Sequence, residues 1–243
     1  IRGGIQKVES VLYKFFPNSN ILRYDKDIIS KPNTYYTIID QFNNKKADIL
    51  LGTQMIAKGL NFNNVSLVAI INADIGLFLP DFRSGERIFQ LIYQFIGRAN
   101  QDSSTAIIQS FNIQDRYIKD ACKYKVDDNF NHILKERKEL FYPPYSRLIK
   151  ILFLGENKNK VEKKSEDIAT ILLKNKKIII LGPSIAPISQ IKKLFRYQLL
   201  LKCNKRNWQN FYNWIENNIG LSNFESKKNG VQVKIDVDPI SIL

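Results

Sequence analysis

Asp48-Ile-Leu-Leu-Gly-Thr-Gln-Met-Ile-Ala-Lys-Gly59 is the stretch on which the fold turns. Its apolar opening reads as a short strand ending at Gly52, so Thr53 and Gln54 stand just past the strand's C-terminal edge. A short helix would then carry Lys58, with Gly59 closing it. In an open α/β sheet the functional loops lie at that edge. The loop is therefore placed to contact a phosphodiester backbone or to couple it to a nucleotide.

Outward from this stretch the chain alternates. Two further apolar runs, Ser66 to Asn72 and Thr105 to Gln109, are β-branched and near-continuous, the pattern of parallel strands covered on both faces. Helices fit 4–16, stopped by Pro17, and 34–43. Another fits Ser84 to Ala99, with Ser84 as its N-cap. The expected class is α/β, an open parallel sheet over 1–112. A helical linker fits 113–142, ended by the two prolines of Tyr142-Pro-Pro-Tyr145. Residues 143–243 then read as a smaller α+β module. Its strands fit 146–154, 177–181, 195–203 and 230–237, its helices 158–173 and 206–219, and a loop fits 182–193.

Charge separates these parts. The chain carries a net +14. Residues 1–112 hold only +3 of it and residues 113–243 hold +11. Between Ile168 and Ile215 there is no acidic residue against nine Lys or Arg, which reads as a basic face rather than compositional bias alone. Such a face suits a nucleic-acid partner. Other classes fall away. No apolar run approaches the ~18 residues of a membrane span. Cys122 and Cys203 lie too far apart for a CxxC site, and one histidine, His132, supports neither a zinc cluster nor a Ser-His-Asp arrangement. No metal ligands are expected. There is no signal peptide, and Ile1 in place of Met suggests a piece of a longer chain.

Two other segments carry chemistry. Pro80-Asp-Phe-Arg-Ser-Gly-Glu-Arg87 is a turn entering a helix with Arg83 and Arg87 at its head. Gln94-Phe-Ile-Gly-Arg-Ala-Asn-Gln101 sets Gln94 and Arg98 four apart on one helix face. A guanidinium there can stabilise charge on a transferring phosphoryl group. In the C-terminal module, Lys192, Lys193 and Arg196 can neutralise phosphates, Tyr197 could stack on an unpaired base, and Gln198 could hydrogen-bond a peptide. The alternative for Tyr197 is that it packs inward. Trp208 and Trp214, six apart, read as lying on roughly opposite helix faces, so at most one is expected in the core.

Taken in order, these segments resemble the primosomal protein N′ (PriA) family, replication-restart DNA helicases of superfamily 2. GTQMIAKG resembles that family's motif V and QFIGRA its motif VI, with PDFRSGERIFQL between them. RYDKD at 23–27, YPPYSRL at 142–148, LGPSIAPI at 181–188, FRYQLLLK at 195–202 and DVDP at 236–239 extend the likeness along essentially the whole chain.

The resemblance implies a second RecA-like helicase lobe followed by a small C-terminal domain similar to ribosomal protein S10. It also implies the C-terminal part of an ATP-dependent 3′→5′ DNA helicase that acts at stalled forks and D-loops in the bacterial cytoplasm, at the nucleoid. ATP and Mg²⁺ would be used by the full-length protein, whose first lobe carries the phosphate loop and DExx box that this chain lacks. Zinc belongs to a cysteine-rich module whose ligands are also absent here. The implied partners are forked and single-stranded DNA, single-stranded DNA-binding protein, other primosome proteins and the missing lobe in cis. By this likeness Thr53, Gln54 and Lys58 grip DNA. Gly59, Arg83, Arg87 and Gln94 couple to nucleotide, Arg98 contacts its phosphates, and Gln198 meets a partner.

The sequence departs from the family at its catalytic edge. Motif VI usually ends in Gly-Arg where Asn100 and Gln101 stand, and loss of an arginine finger costs ~10³ to 10⁵ in phosphoryl transfer. The alternative is thus a catalytically eroded, non-enzymatic module that binds DNA or a primosome partner. A different superfamily 2 translocase is a third reading, opposed by YPPYSRL and DVDP.

Overall fold

The computed structural model describes residues 4–25, 28, 34–57, 62, 65–98, 104–219 and 230–242. The chain forms two compact units, one of residues up to Asp74 with Arg87–Lys125, the other of Ile75–Glu86 with Val126 onward. The segment 75–86, next to lobe strands in sequence, thus belongs by its contacts to the C-terminal unit.

In the first unit, α1 (Gly4–Phe15) ends before Pro17, as the ring requires. Strands β1 (Ile21–Tyr24) and β2 (Ile49–Gly52) pair in parallel with Ile21 opposite Ile49, and α2 (Thr34–Asn43) connects them. Tyr24 and Ile38 are buried together, with Leu22, Leu50 and Ile56 packed around them. Strands β3 (Leu67–Ile70) and β4 (Thr105–Ile108) form a second parallel pair, joined through α3 (Ser84–Arg98). Ile88, Phe89 and Ile92 form the buried stripe of α3, spaced as a helix requires. The parallel α/β reading holds, but these strands are not covered on both faces: Leu67 and Ile107 are each about half exposed. Each is paired on one side only among the described residues, so it lacks the neighbours that would bury it.

The stretch read as one helical linker is two helices, α4 (Arg116–Cys122) and α5 (Val126–Glu139). The Asp115 carboxylate caps α4 by accepting from the Tyr117 and Ile118 amides, and Tyr124, at φ 54°, turns the chain before α5.

In the second unit, β5 (Arg147–Gly155), β6 (Ile178–Ile191), β7 (Leu194–Cys203) and β8 (Val231–Val237) form one antiparallel sheet in the order β6-β7-β5-β8. Helices α6 (Lys158–Leu172) and α7 (Trp208–Ile219) cover one face, with Phe211 and Ile215 of α7 in one buried cluster with Ile149, Ile151, Phe153, Leu199 and Leu201 of the sheet. The expected loop at 182–193 is instead strand almost throughout. β6 lies at the sheet edge, where Pro183 and Pro187 are tolerated, and register breaks at Leu181/Ser184 and Ile185/Gln190 absorb the irregularity. Gly182 sits at φ 103°, which favours glycine, and an added Cβ would come within 2.8 Å of the Gln198 carbonyl.

Trp208 and Trp214 both pack against this core. Six residues of helix leave them ~120° apart, and each stands ~60° from Phe211 on opposite sides. They flank the apolar stripe together.

Candidate nucleic-acid interface

The motif loop begins as the sequence suggests. Gly52 ends β2 so close to β1 that an added Cβ would lie 2.4 Å from the Tyr24 carbonyl oxygen and 2.3 Å from Ile56 Cδ1. Only glycine fits there. Thr53 follows, exposed, and its carbonyl accepts from the Ile56 amide at 3.1 Å. Gln54, also exposed, opens a short 3₁₀ helix, Gln54–Ala57. Lys58 and Gly59 lie outside the described residues, as do Asn100 and Gln101. α3 runs through to Arg98, which keeps Gln94 and Arg98 one turn apart, with Gln94 exposed.

The head of α3 corrects one expectation. Ser84 is not the cap, because its hydroxyl donates backward to the Leu79 carbonyl at 2.7 Å. Asp81 instead closes the turn that leads into the helix, accepting from the Arg83 amide at 3.0 Å and from the Ser241 hydroxyl at 2.7 Å. The Arg83 side chain lies 5.0 Å over the Phe82 ring and donates to the Ile240 carbonyl at 2.8 Å. Its partners therefore belong to the C-terminal unit. Arg87 is half-buried in the first turn of α3.

Asp74 anchors the loop after β4. It is buried and accepts from the Ser110 hydroxyl at 2.9 Å and from the Phe111 and Asn112 amides at 2.8 and 3.2 Å. Burial pushes its carboxyl up, but those hydrogen bonds to the charged form outweigh it and hold the group below its ordinary range.

In the C-terminal unit Lys192 and Lys193 form the exposed two-residue turn between β6 and β7, with Ile191 opposite Leu194. Their φ values of 48° and 67° are those of a type I′ hairpin, a geometry that normally selects Asn or Gly. Two ammonium groups are thereby held at a projecting tip. Arg196 and Tyr197 do not join them. Tyr197 is 5% exposed, alternating onto the α6 face where its hydroxyl bonds Glu162, and burial with that bond pushes its pKa up. It presents no ring to a base. Arg196, on the other face, is 8% exposed and donates to the Ile188 carbonyl at 3.0 Å, fastening the irregular part of β6. It is not placed to neutralise a phosphate. Gln198 shares that face, half-buried, and its Oε1 is buried without a hydrogen-bond donor among the described residues.

The sheet face opposite the helices also holds cations that the sequence reading passed over. Lys150 is buried beside Leu200 and opposite Asp236. Burial and the charge of Arg196 push its pKa down, against the pull of Asp236 and Asp81. Lys202 is buried with Nζ 3.5 Å from the centre of the Tyr142 ring, donating to the Leu140 carbonyl at 2.7 Å. Period-two alternation along an apolar strand was the available signal. Among the described residues no cluster of three or more His, Cys, Asp or Glu is placed to hold a metal ion, and no helix is long and apolar enough to cross a membrane.

Comparison with known proteins places this arrangement. The family model for the helicase conserved C-terminal domain matches residues 5–114, and that for the primosomal protein N C-terminal domain matches residues 138–240. The chain is 39% identical, over 99% of its length, to the replication restart protein PriA of Borreliella burgdorferi, covering 36% of that protein. The chain belongs to the PriA family. It is also 39% identical over 82% of its length to PriA of Bacillus subtilis and 34% identical over 98% to PriA of Chlamydia trachomatis, covering 25% and 32% of those proteins. The chain thus spans between a quarter and 36% of the length of these PriA relatives. The helicase match covers most of the first unit and the primosomal match most of the sheet unit, in the order the motifs suggested.

Proposed function

We propose that the chain is the DNA-engaging C-terminal part of an ATP-dependent 3′→5′ DNA helicase of replication restart, working on forked and single-stranded DNA in the bacterial cytoplasm at the nucleoid. One observation carries this reading: helicase and primosomal C-terminal family models match, in sequence order, a chain with a net charge of +14. Thr53, Gln54 and Lys58 grip the tracking strand, and the Lys192–Lys193 tip adds phosphate contacts from the sheet unit. Gly59, Arg87 and Gln94 couple that grip to nucleotide, and Arg98 meets its phosphates. ATP, with Mg²⁺, supplies phosphoryl-transfer energy when bound. This chain's part in that site is the arginine edge, because no phosphate loop occurs in its sequence. Zinc, single-stranded DNA-binding protein and primosome proteins belong to the whole assembly, with Gln198 the candidate for the protein contact.

Phosphate contacts release counterions, so fork-DNA affinity should fall steeply between 50 and 200 mM salt, by ~10³ if some six phosphates are engaged. A flat response removes the DNA reading. Asn100 and Gln101 favour the non-enzymatic alternative. In a full-length protein, Asn100→Gly with Gln101→Arg should raise DNA-stimulated ATPase at least tenfold if the motor is merely weakened. An unchanged rate marks a pure binding module.

A further inference from the structure

The C-terminal unit contains an open cleft of about 330 Å³ lined by Arg83, Arg147 and Lys205 with one carboxylate, Asp238, and by Ser146 and three prolines. Its cations come from three separate elements: the turn before α3, the start of β5 and the short 3₁₀ helix Lys205–Asn207 that leads into α7. Three positive groups against one negative leave the cleft with an excess positive charge.

The two arginines are fixed in place. The Arg147 guanidinium carbon lies 3.8 Å from the centre of the Trp208 ring, while Nε and Nη2 donate to Asp238 at 2.8 and 2.5 Å. Asp238 is itself held, at φ 51°, by accepting from the Leu148 amide at 3.1 Å. Arg83 is oriented by its bond to the Ile240 carbonyl and by the Phe82 ring. A guanidinium carries five N–H donors. The bonds just described use two of them on Arg147 and one on Arg83, leaving donors for an anion. Lys205 is exposed and has no ion-pair partner among the described residues. The proline rings bring no N–H groups of their own, so the donors that converge on an incoming anion are side chains.

We propose that this cleft seats a backbone phosphate of a nucleic-acid strand, with Arg83 and Arg147 as oriented donors and Lys205 as the mobile third charge. Paired guanidinium groups match phosphate oxygens in geometry as well as charge. A nucleic acid is favoured over an acidic peptide because Lys205 lies in the acid-free stretch between Ile168 and Ile215, whose positive charge extends well beyond a single anion. The proposal rests on the DNA-binding reading above and gives it a specific seat.

Trp208, beneath Arg147, supplies a reporter. In the 243-residue chain carrying Trp214→Phe, pyrophosphate should change the remaining tryptophan fluorescence saturably, and a single-stranded oligonucleotide should produce the same change. Lys205→Ala, at an exposed position, should weaken both responses about fivefold and reduce the slope of log affinity against log salt by about 0.7, one single-strand phosphate. Lys205→Arg should restore them. If the wild-type chain binds DNA but Lys205→Ala leaves affinity, slope and fluorescence unchanged, the cleft is not the seat and the DNA reading survives. If the wild-type chain binds no DNA, both fall. A response to pyrophosphate or polyglutamate without one to DNA also overturns the proposal.

Discussion

Phe82 stacks face to face on Tyr142, with ring centroids 4.7 Å apart and planes 4° from parallel. Cations close the stack on both sides: Arg83 and Arg137 lie over Phe82 at 5.0 and 5.2 Å, and Lys202 lies over Tyr142 at 3.5 Å. Arg137 also pairs with Glu86 and donates to the Pro143 carbonyl. A segment that lies between two helicase motifs in sequence is in this way bound into the C-terminal unit, by aromatic and cation–π contacts of about 0.5–2 kcal/mol each.

Removing that ring should be costly. Phe82→Ala loses a half-buried aromatic together with its stack and is expected to destabilise the C-terminal unit by about 2–3 kcal/mol. Urea unfolding followed by tryptophan fluorescence reads this directly, since both tryptophans lie on α7 of that unit. Phe82→Tyr should recover most of the loss.

Gly52→Ala should act on the other unit. The new methyl meets the Tyr24 carbonyl, backbone that cannot yield like a side-chain tip, so a cost of about 2 kcal/mol or more is expected. Hydrogen exchange should show faster opening of β1 and β2, while amides of β5 and β7 keep their protection.

Acid should loosen the Asp74 anchor. Its carboxyl is held below the ordinary value by the Phe111, Ser110 and Asn112 donors despite burial. The stability it contributes is therefore fully present above the unfolded value of about 4 and is lost as pH falls through the lower folded value. Unfolding midpoints measured from pH 7 to pH 3 should fall less in Asp74→Asn than in the parent chain, although the variant starts lower.

Lys202 gives a slope of the same sign at alkaline pH, because its charge works against the fold. Burial pushes its pKa below the ordinary lysine value, so its positive charge opposes folding at neutral pH. The unfolded chain then binds more protons than the folded one across the window between the two values. Within that window stability rises with pH. Replacing the side chain by an apolar one of similar length, Lys202→Met, should flatten the alkaline rise in urea midpoint seen with the parent chain.

Much of the fold was legible because it rests on local rules. Pro17 had to end α1, the apolar run before Gly52 had to be a strand, and a helix fitted the stretch from Ser84 that the structure shows as α3. The ordered motifs from Thr53 to Arg98 sufficed for the family, since order along a chain needs no coordinates. The candidate site was legible only in part. Tyr197 and Arg196 are adjacent in a basic, aromatic strand and look alike as binding residues. Alternation sends them to opposite faces, and which faces are covered depends on helices and turns remote in sequence.

Residue order and local propensity were thus enough to establish the α/β lobe, the basic C-terminal module and the motif series, because short-range sterics and hydrophobic period are written into neighbouring residues. Three-dimensional packing alone decided that Ile75–Glu86 joins the C-terminal unit, that Arg83 reaches Ile240, and that Arg147 is clamped between Trp208 and Asp238. Those contacts join residues up to 157 positions apart, and no local pattern encodes which distant surface will bury a side chain.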